Sequence, residues 1–149
     1  MSMSTIRAQV KTIVEAVSGI GVVHDYKRHI TNWDTYKKEN VKSGKIHLWE
    51  LTVENYEKAV MGSDATERTT YDFLIIGRYA VDDSLATEKT FQSLAALVGE
   101  AFRDKPKLEN TAEVVKYPIT CEFANEMYGN VLCHRADIKV SIRERVVFG

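Results

Sequence analysis

The stretch LIIGRYAVDDSLATEKTF, Leu74 to Phe91, changes its hydrophobic period partway along. Before Asp82 the apolar residues fit an extended strand. After Asp83 the spacing becomes helical, and Phe91, Leu94, Ala95, Val98, Ala101 and Phe102 form one continuous apolar stripe. Asp82 and Asp83 sit at the change. Acidic residues there satisfy the free N–H groups of a helix start and the positive end of its dipole. Asp83 or Ser84 is therefore expected to cap the helix, with Glu88 in its first turn. No His or Lys lies beside the pair in sequence, so architecture is favoured over acid–base chemistry.

Upstream, IHLWELTVENY (Ile46 to Tyr56) sets His47, Trp49, Leu51 and Val53 on one side against Glu50, Thr52 and Glu54 on the other, a half-buried strand. A second strand is expected from about Glu67 to Val81, with Tyr71, Phe73, Ile75, Tyr79 and Val81 on one face and Arg68, Thr70 and Asp72 on the other. Glu57 to Thr66 then reads as a long hairpin loop. Its tip carries Ala59, Val60 and Met61 followed by Gly62 and Asp64. Apolar side chains have no use in a solvated loop, so these residues are candidates for a protein interface. Glu50, Glu54, Glu57, Asp64 and Glu67 along the same hairpin are candidates for an acidic surface.

Toward the N-terminus, Ile6, Val10, Ile13, Val14 and Val17 predict a helix starting at Ser4 and ending by Gly19 or Gly21. GVVHDY (Gly21 to Tyr26) reads as a short strand, and Thr31 to Val41 as a short helix or turn docked by Trp33 and Tyr36. Toward the C-terminus, Pro106 stops the long helix. Ala112 to Phe123 reads as a strand edged by Pro118, EMYGN as a turn, and Val131 to Val146 as the closing strand. In that strand Leu132, His134, Ala136, Ile138, Val140 and Ile142 face one way, and Cys133, Arg135, Asp137, Lys139, Ser141 and Arg143 the other. Strands in adjacent pairs predict a single α+β domain spanning 1–149, with an antiparallel or mixed sheet and helices packed on one face. Regular βαβαβ alternation is lacking.

Composition narrows function. The chain has 149 residues, 44% hydrophobic, and a net charge of −1, which supports one domain with a real core and argues against a dedicated nucleic-acid binder. No run approaches the roughly 20 apolar residues that span a bilayer, and no signal-peptide pattern is evident, so a cytoplasmic protein is expected. Basic residues gather at Lys37, Lys38, Lys42 and Lys45, and at Lys139, Arg143 and Arg145, with Glu39 and Glu144 among them; solvated faces account for both groups. Cys121, Cys133 and His134, even with His24, His29 or His47 added, match no zinc spacing. Cys133 and His134 are adjacent on a strand and point to opposite faces, which disfavours both a shared ion and a Cys–His nucleophile. GIG at Gly19 to Gly21 lacks the third glycine of a dinucleotide site. No cofactor or metal is expected.

Three segments carry a resemblance: VVHDYKR (Val22 to Arg28), TFQSLAALVGEAF (Thr90 to Phe102) and GNVLCHRADIKVSIRERV (Gly129 to Val146). With the hairpin between them, the chain from about Ile6 to Val146 resembles phage and prophage tail terminators, the minor tail or neck proteins that cap long tails. The match is one of order and pattern. It implies an α+β fold, a homo-oligomeric ring, usually a hexamer, and contacts with the tail tube and the head-completion or connector protein. DNA would pass through without specific binding, past a lumen that the acidic hairpin could make repulsive. The resemblance implies no catalytic residue, and it places the protein in the virion tail or, during assembly, the host cytoplasm. Another neck protein, a head-closure or connector subunit, is the nearest alternative. A small hydrolase using the Cys and His residues is the alternative from another class.

Overall fold

The computed structural model describes residues 3–42, 44–61, 66–103 and 114–147. Helix α1 (Met3–Glu15) is followed by strand β1 (Val22–His24), helix α2 (Trp33–Glu39) and the two-residue β2 (Val41–Lys42). Two long strands come next, β3 (Lys45–Met61) and β4 (Thr66–Ala80). A 3-10 turn (Asp83–Leu85) leads into helix α3 (Thr87–Arg103), and β5 (Val114–Tyr128) and β6 (Val131–Val147) end the chain. The main sheet runs β1-β3-β4-β6-β5, with β2 joined to β3. Every pairing is antiparallel except β1 with β3, so the sheet is mixed and the domain is α+β.

The core lies between this sheet and the two long helices. Ile6, Val10 and Val14 recur every fourth residue on α1 and are buried; Phe91, Leu94, Ala95, Val98 and Phe102, at i, i+3, i+4, i+7 and i+11, form the buried stripe of α3. They meet Trp49, Leu51, Phe73, Ile75, Ile138, Val140 and Ile142, the alternate residues of the three central strands. Trp49 stacks on Phe91 with ring centroids 5.6 Å apart. The Trp49 ring also lies over Gly77, where a Cβ would collide with it, so this strand position requires glycine.

Among the described residues the opposite face is covered only at one end. There α2 lays Tyr36 against Ile46, Leu48, Tyr128 and Cys133. Trp33 of the same helix fills the space above Gly129, whose φ of +61° closes the β5–β6 turn. The Asn32 side chain caps α2 by accepting from Thr35 N–H at 3.1 Å.

Three boundaries depart from the sequence reading. Ser4 lies inside α1, which already includes Met3. The expected turn at EMYGN shrinks to Gly129 and Asn130, because β5 continues to Tyr128. The largest change concerns Glu57 to Met61. They are strand, not loop, and pair with Thr66 to Thr70. The exposed side chains of Glu57 to Val60 follow no inside–outside alternation, so the polar composition that suggests a loop is equally that of a solvated strand. The interface candidates Gly62 and Asp64 lie outside the described residues, as does the side chain of Met61.

Candidate assembly surfaces and the charged cluster behind them

The acidic hairpin divides into residues with different environments. Glu50 is only 1% exposed. It accepts from the Arg78 guanidinium and from the backbone N–H of Arg28. Its candidacy for an acidic solvent-facing surface is therefore corrected: it is an internal counter-ion. Glu54 is exposed and sits where the β3–β4 register shifts between Val53 and Asn55. That shift changes the facing of everything beyond it. Glu57 falls on the face opposite the long helices, level with Thr70, whereas Glu67, level with Val60, falls on the helix side. Glu67 lies 3.5 Å from Lys58. These acids do not form one row.

The internal cluster around Glu50 spans the sheet. Arg78 is 5% exposed; its Nε donates to Glu126 at 2.8 Å, and its guanidinium lies 4.1 Å from the Tyr128 ring centroid. Arg135 donates to Glu126 at 2.5 Å and to Asp137 at 2.8 Å. Burial works against the Arg78 charge, but bonding to Glu126 and the nearby charge of Glu50 outweigh it and hold its pKa above the ordinary value. Burial likewise opposes ionisation of Glu126, yet Arg78 and Arg135 keep its carboxyl below the usual range. The Tyr36 and Tyr128 hydroxyls bond to each other beside this cluster, and burial first, then that bond, push Tyr36 up. Each charge has partners, so the cluster locks α2, β3, β4 and the β5–β6 hairpin together. The signal in the sequence was Arg78 itself, a lone charge inside LIIGRYA.

Asp82 and Asp83 start the 3-10 turn rather than α3 itself. Asp82 accepts from Ser84 Oγ at 2.7 Å and pairs with Lys45 at 3.1 Å; these bonds, Ser84 first, lower its pKa. Lys45 is far away in sequence and was not foreseen as a partner. Thr87 then ties the junction: its Oγ1 accepts from Asp82 N–H at 2.9 Å and lies 2.8 Å from His134 Nε2. Thr87 and His134 are both buried, and this hydroxyl–imidazole contact joins the helix start to β6.

His47 is buried and its Nε2 accepts from Trp49 Nε1 at 3.0 Å. Burial, assisted by Lys42, pushes its pKa down to about 4. Cys133 is buried in the α2 cluster on the face opposite His134, which stacks on Phe91. Burial pushes the Cys133 thiol up to about 11, away from the thiolate that nucleophilic chemistry requires. Cys121 is exposed and its thiol is also raised, by burial first and then by Asp137 and Glu122. Among the described residues no group of three or more His, Cys, Asp or Glu is placed to hold an ion. A cleft of about 290 Å³ lies between α3 and β5, lined by Glu88, Phe91, Gln92, Phe123, Asn125 and His134. The basic residues are dispersed: Lys42 donates to Ile20 C=O, Lys45 pairs with Asp82, and Lys139 and Arg145 are exposed on β6.

Large apolar side chains reach solvent on the two outermost long strands. On β3, Tyr56 is 55% and Val60 57% exposed; on β5, Phe123 is 46% and Met127 62% exposed. Ala59 is also exposed. Among the interface candidates the structure thus puts Ala59 and Val60 at the surface on the projecting end of β3. Their counterparts on β5 were missed, because the β5 segment was expected to end at Phe123 and turn.

Among the described residues no helix is long and apolar enough to cross a membrane. No protein-family model matches this chain, and no curated protein matches it.

Proposed function

We propose that this chain is a structural subunit of virion assembly, of the tail-terminator kind. Copies of it form a ring, expected to be a hexamer, that caps the tail tube, stops its growth and offers the head-completion protein a docking surface. The observation that carries this reading is the placement of exposed apolar side chains on β3 and on β5, at the two sides of one rigid sheet. A ring built head to tail needs two different surfaces per subunit, one on each side. Exposed apolar residues gathered at such places are suited to contacts with proteins. The α+β fold agrees with what the resemblance implies. In this reading DNA passes through the ring without specific binding, and the subunit needs no cofactor.

Removal of the gene from the virus or prophage that carries it tests the proposal. The expected result is tails of uncontrolled length that fail to join heads. Tails of normal length left unjoined to filled heads would instead assign the chain to head closure. Normal, infectious particles would refute both.

A further inference from the structure

The two sides of the sheet differ in a way that specifies a partner. Beyond Glu50, β3 has β4 on one side and no strand on the other among the described residues, because β1 covers only Leu48 to Glu50. At the far side β5 is likewise paired only with β6. Each strand therefore presents a row of backbone N–H and C=O groups able to bond another strand. The part of β5 nearest its start is guarded, since its register shifts between Lys116 and Thr120 and Pro118 supplies no N–H. From Thr120 to Tyr128 the strand is regular.

We propose that Asn55 to Met61, within the free segment of β3, pairs with Glu122 to Tyr128 of β5 in the next copy of this chain, joining the sheets edge to edge. This rests on the ring reading above and names the surfaces that build it. Strand direction supports it. Along β3, β4, β6 and β5 every neighbour is antiparallel, so β3 and β5 run in opposite directions. A rotation about an axis inclined to the strands by less than a right angle keeps their sense, so β5 of one copy meets β3 of the next antiparallel. The side chains agree as well. Beyond the bulge, Tyr56 and Val60 point to the helix side, level with Tyr71 and Glu67. Phe123 and Met127 point to that same side, level with Ala136 and Leu132. Both pairs are spaced by four residues, so antiparallel pairing sets Tyr56 beside Met127 and Val60 beside Phe123. On the other face Glu57 comes opposite Glu126, whose charge Arg78 and Arg135 already balance. The two free segments lie toward opposite ends of the sheet, so neighbouring copies slide along the strands and tilt, as strands do in closed barrels.

The test is disulfide trapping in a Cys121→Ser background. Within one chain β3 and β5 are separated by β4 and β6, roughly 14 Å at the usual strand spacing, too far for a disulfide. A Val60→Cys, Phe123→Cys double variant can therefore cross-link only between copies. The expected result is a ladder of covalent oligomers ending in one discrete closed species, with each single variant giving none beyond background. Absence of the ladder in a folded double variant, or equal ladders from the single variants, would overturn the proposal. Charge exchange provides a second reading. Val60→Lys and Phe123→Glu should each weaken self-association about tenfold or more, and the two together should restore it; failure of the restoration also overturns the pairing. These outcomes are separate from the gene-removal result: a ladder with normal tails would retain the edge pairing and refute the tail role, and altered tails without a ladder would do the reverse.

Discussion

Glu50 and Val60 lie ten positions apart on the same strand, and each occupies the environment usual for the other. The carboxylate is sealed inside the protein and the aliphatic side chain faces water. At the Glu50 end, α2 and the β5–β6 hairpin close over the sheet with Tyr36 and Tyr128, and neighbouring β4 supplies Arg78. At the Val60 end no described element covers that strand on its outer side. The difference teaches that residue type alone does not set burial on a long strand. What sets it is whether another element arrives to complete the shell of contacts. Where one does, a charge can be held inside by its partners. Where none does, an apolar side chain remains available to another molecule.

The contrast can be broken most forcefully at Arg78. Arg78→Met leaves Glu50 buried without its counter-ion, and loss of one partner of a buried pair costs about 3–5 kcal/mol. Urea unfolding should show that loss. A change under about 1 kcal/mol would mean that Glu50 is not held as described.

His47 supplies the next effect, through pH. Its folded pKa of about 4 lies below the ordinary 6.5. The unfolded chain therefore takes up a proton first as pH falls. The stability His47 contributes is complete above about pH 6.5 and is lost as pH falls toward 4, to a total of about 3 kcal/mol at about 1.36 kcal/mol per pH unit. His47→Gln keeps an acceptor for the Trp49 N–H and should remove this part of the slope. An unchanged pH profile of melting in that variant would contradict the assignment.

Asp82→Asn should lower stability less than either change, because Ser84 can still bond the side-chain oxygen and only the Lys45 pair is lost. The loss should diminish further in high salt, which screens exposed pairs; a salt-independent loss would mean a role beyond the turn.

Some of this was legible from the residues. The stripe from Phe91 to Phe102 and the alternation from His134 to Ile142 are strong because each has one face buried in the core. The existence of a helix after Asp83 was legible, but its cap was not: Asp83 and Ser84 belong to a 3-10 turn, and α3 opens at Thr87. The hairpin was not legible. Glu57 to Val60 has no covered face, so its strand character comes from pairing with Glu67 to Thr70, a partner that periodicity cannot reveal. The bulge between Val53 and Asn55 reverses the facing of every later residue, and one residue of slip scatters a row of acids to both faces. Glu50 was misread because its partner Arg78 lies on another strand; one charge inside an apolar run identifies a pair only when both strands are aligned.

The smallest effect on stability is expected at Val60, and it supports the most direct test of the account. Val60→Glu changes an exposed side chain and should shift unfolding by no more than about 0.5 kcal/mol. The decisive measurement is the length distribution of tail tubes polymerised from purified tube protein with the native chain or with this variant. The account predicts that the native chain stops growth and leaves one ring at the tube end, while the folded variant leaves the tubes growing as if nothing had been added. Tubes stopped equally well by the variant, or tubes that grow on past the native chain, would contradict it.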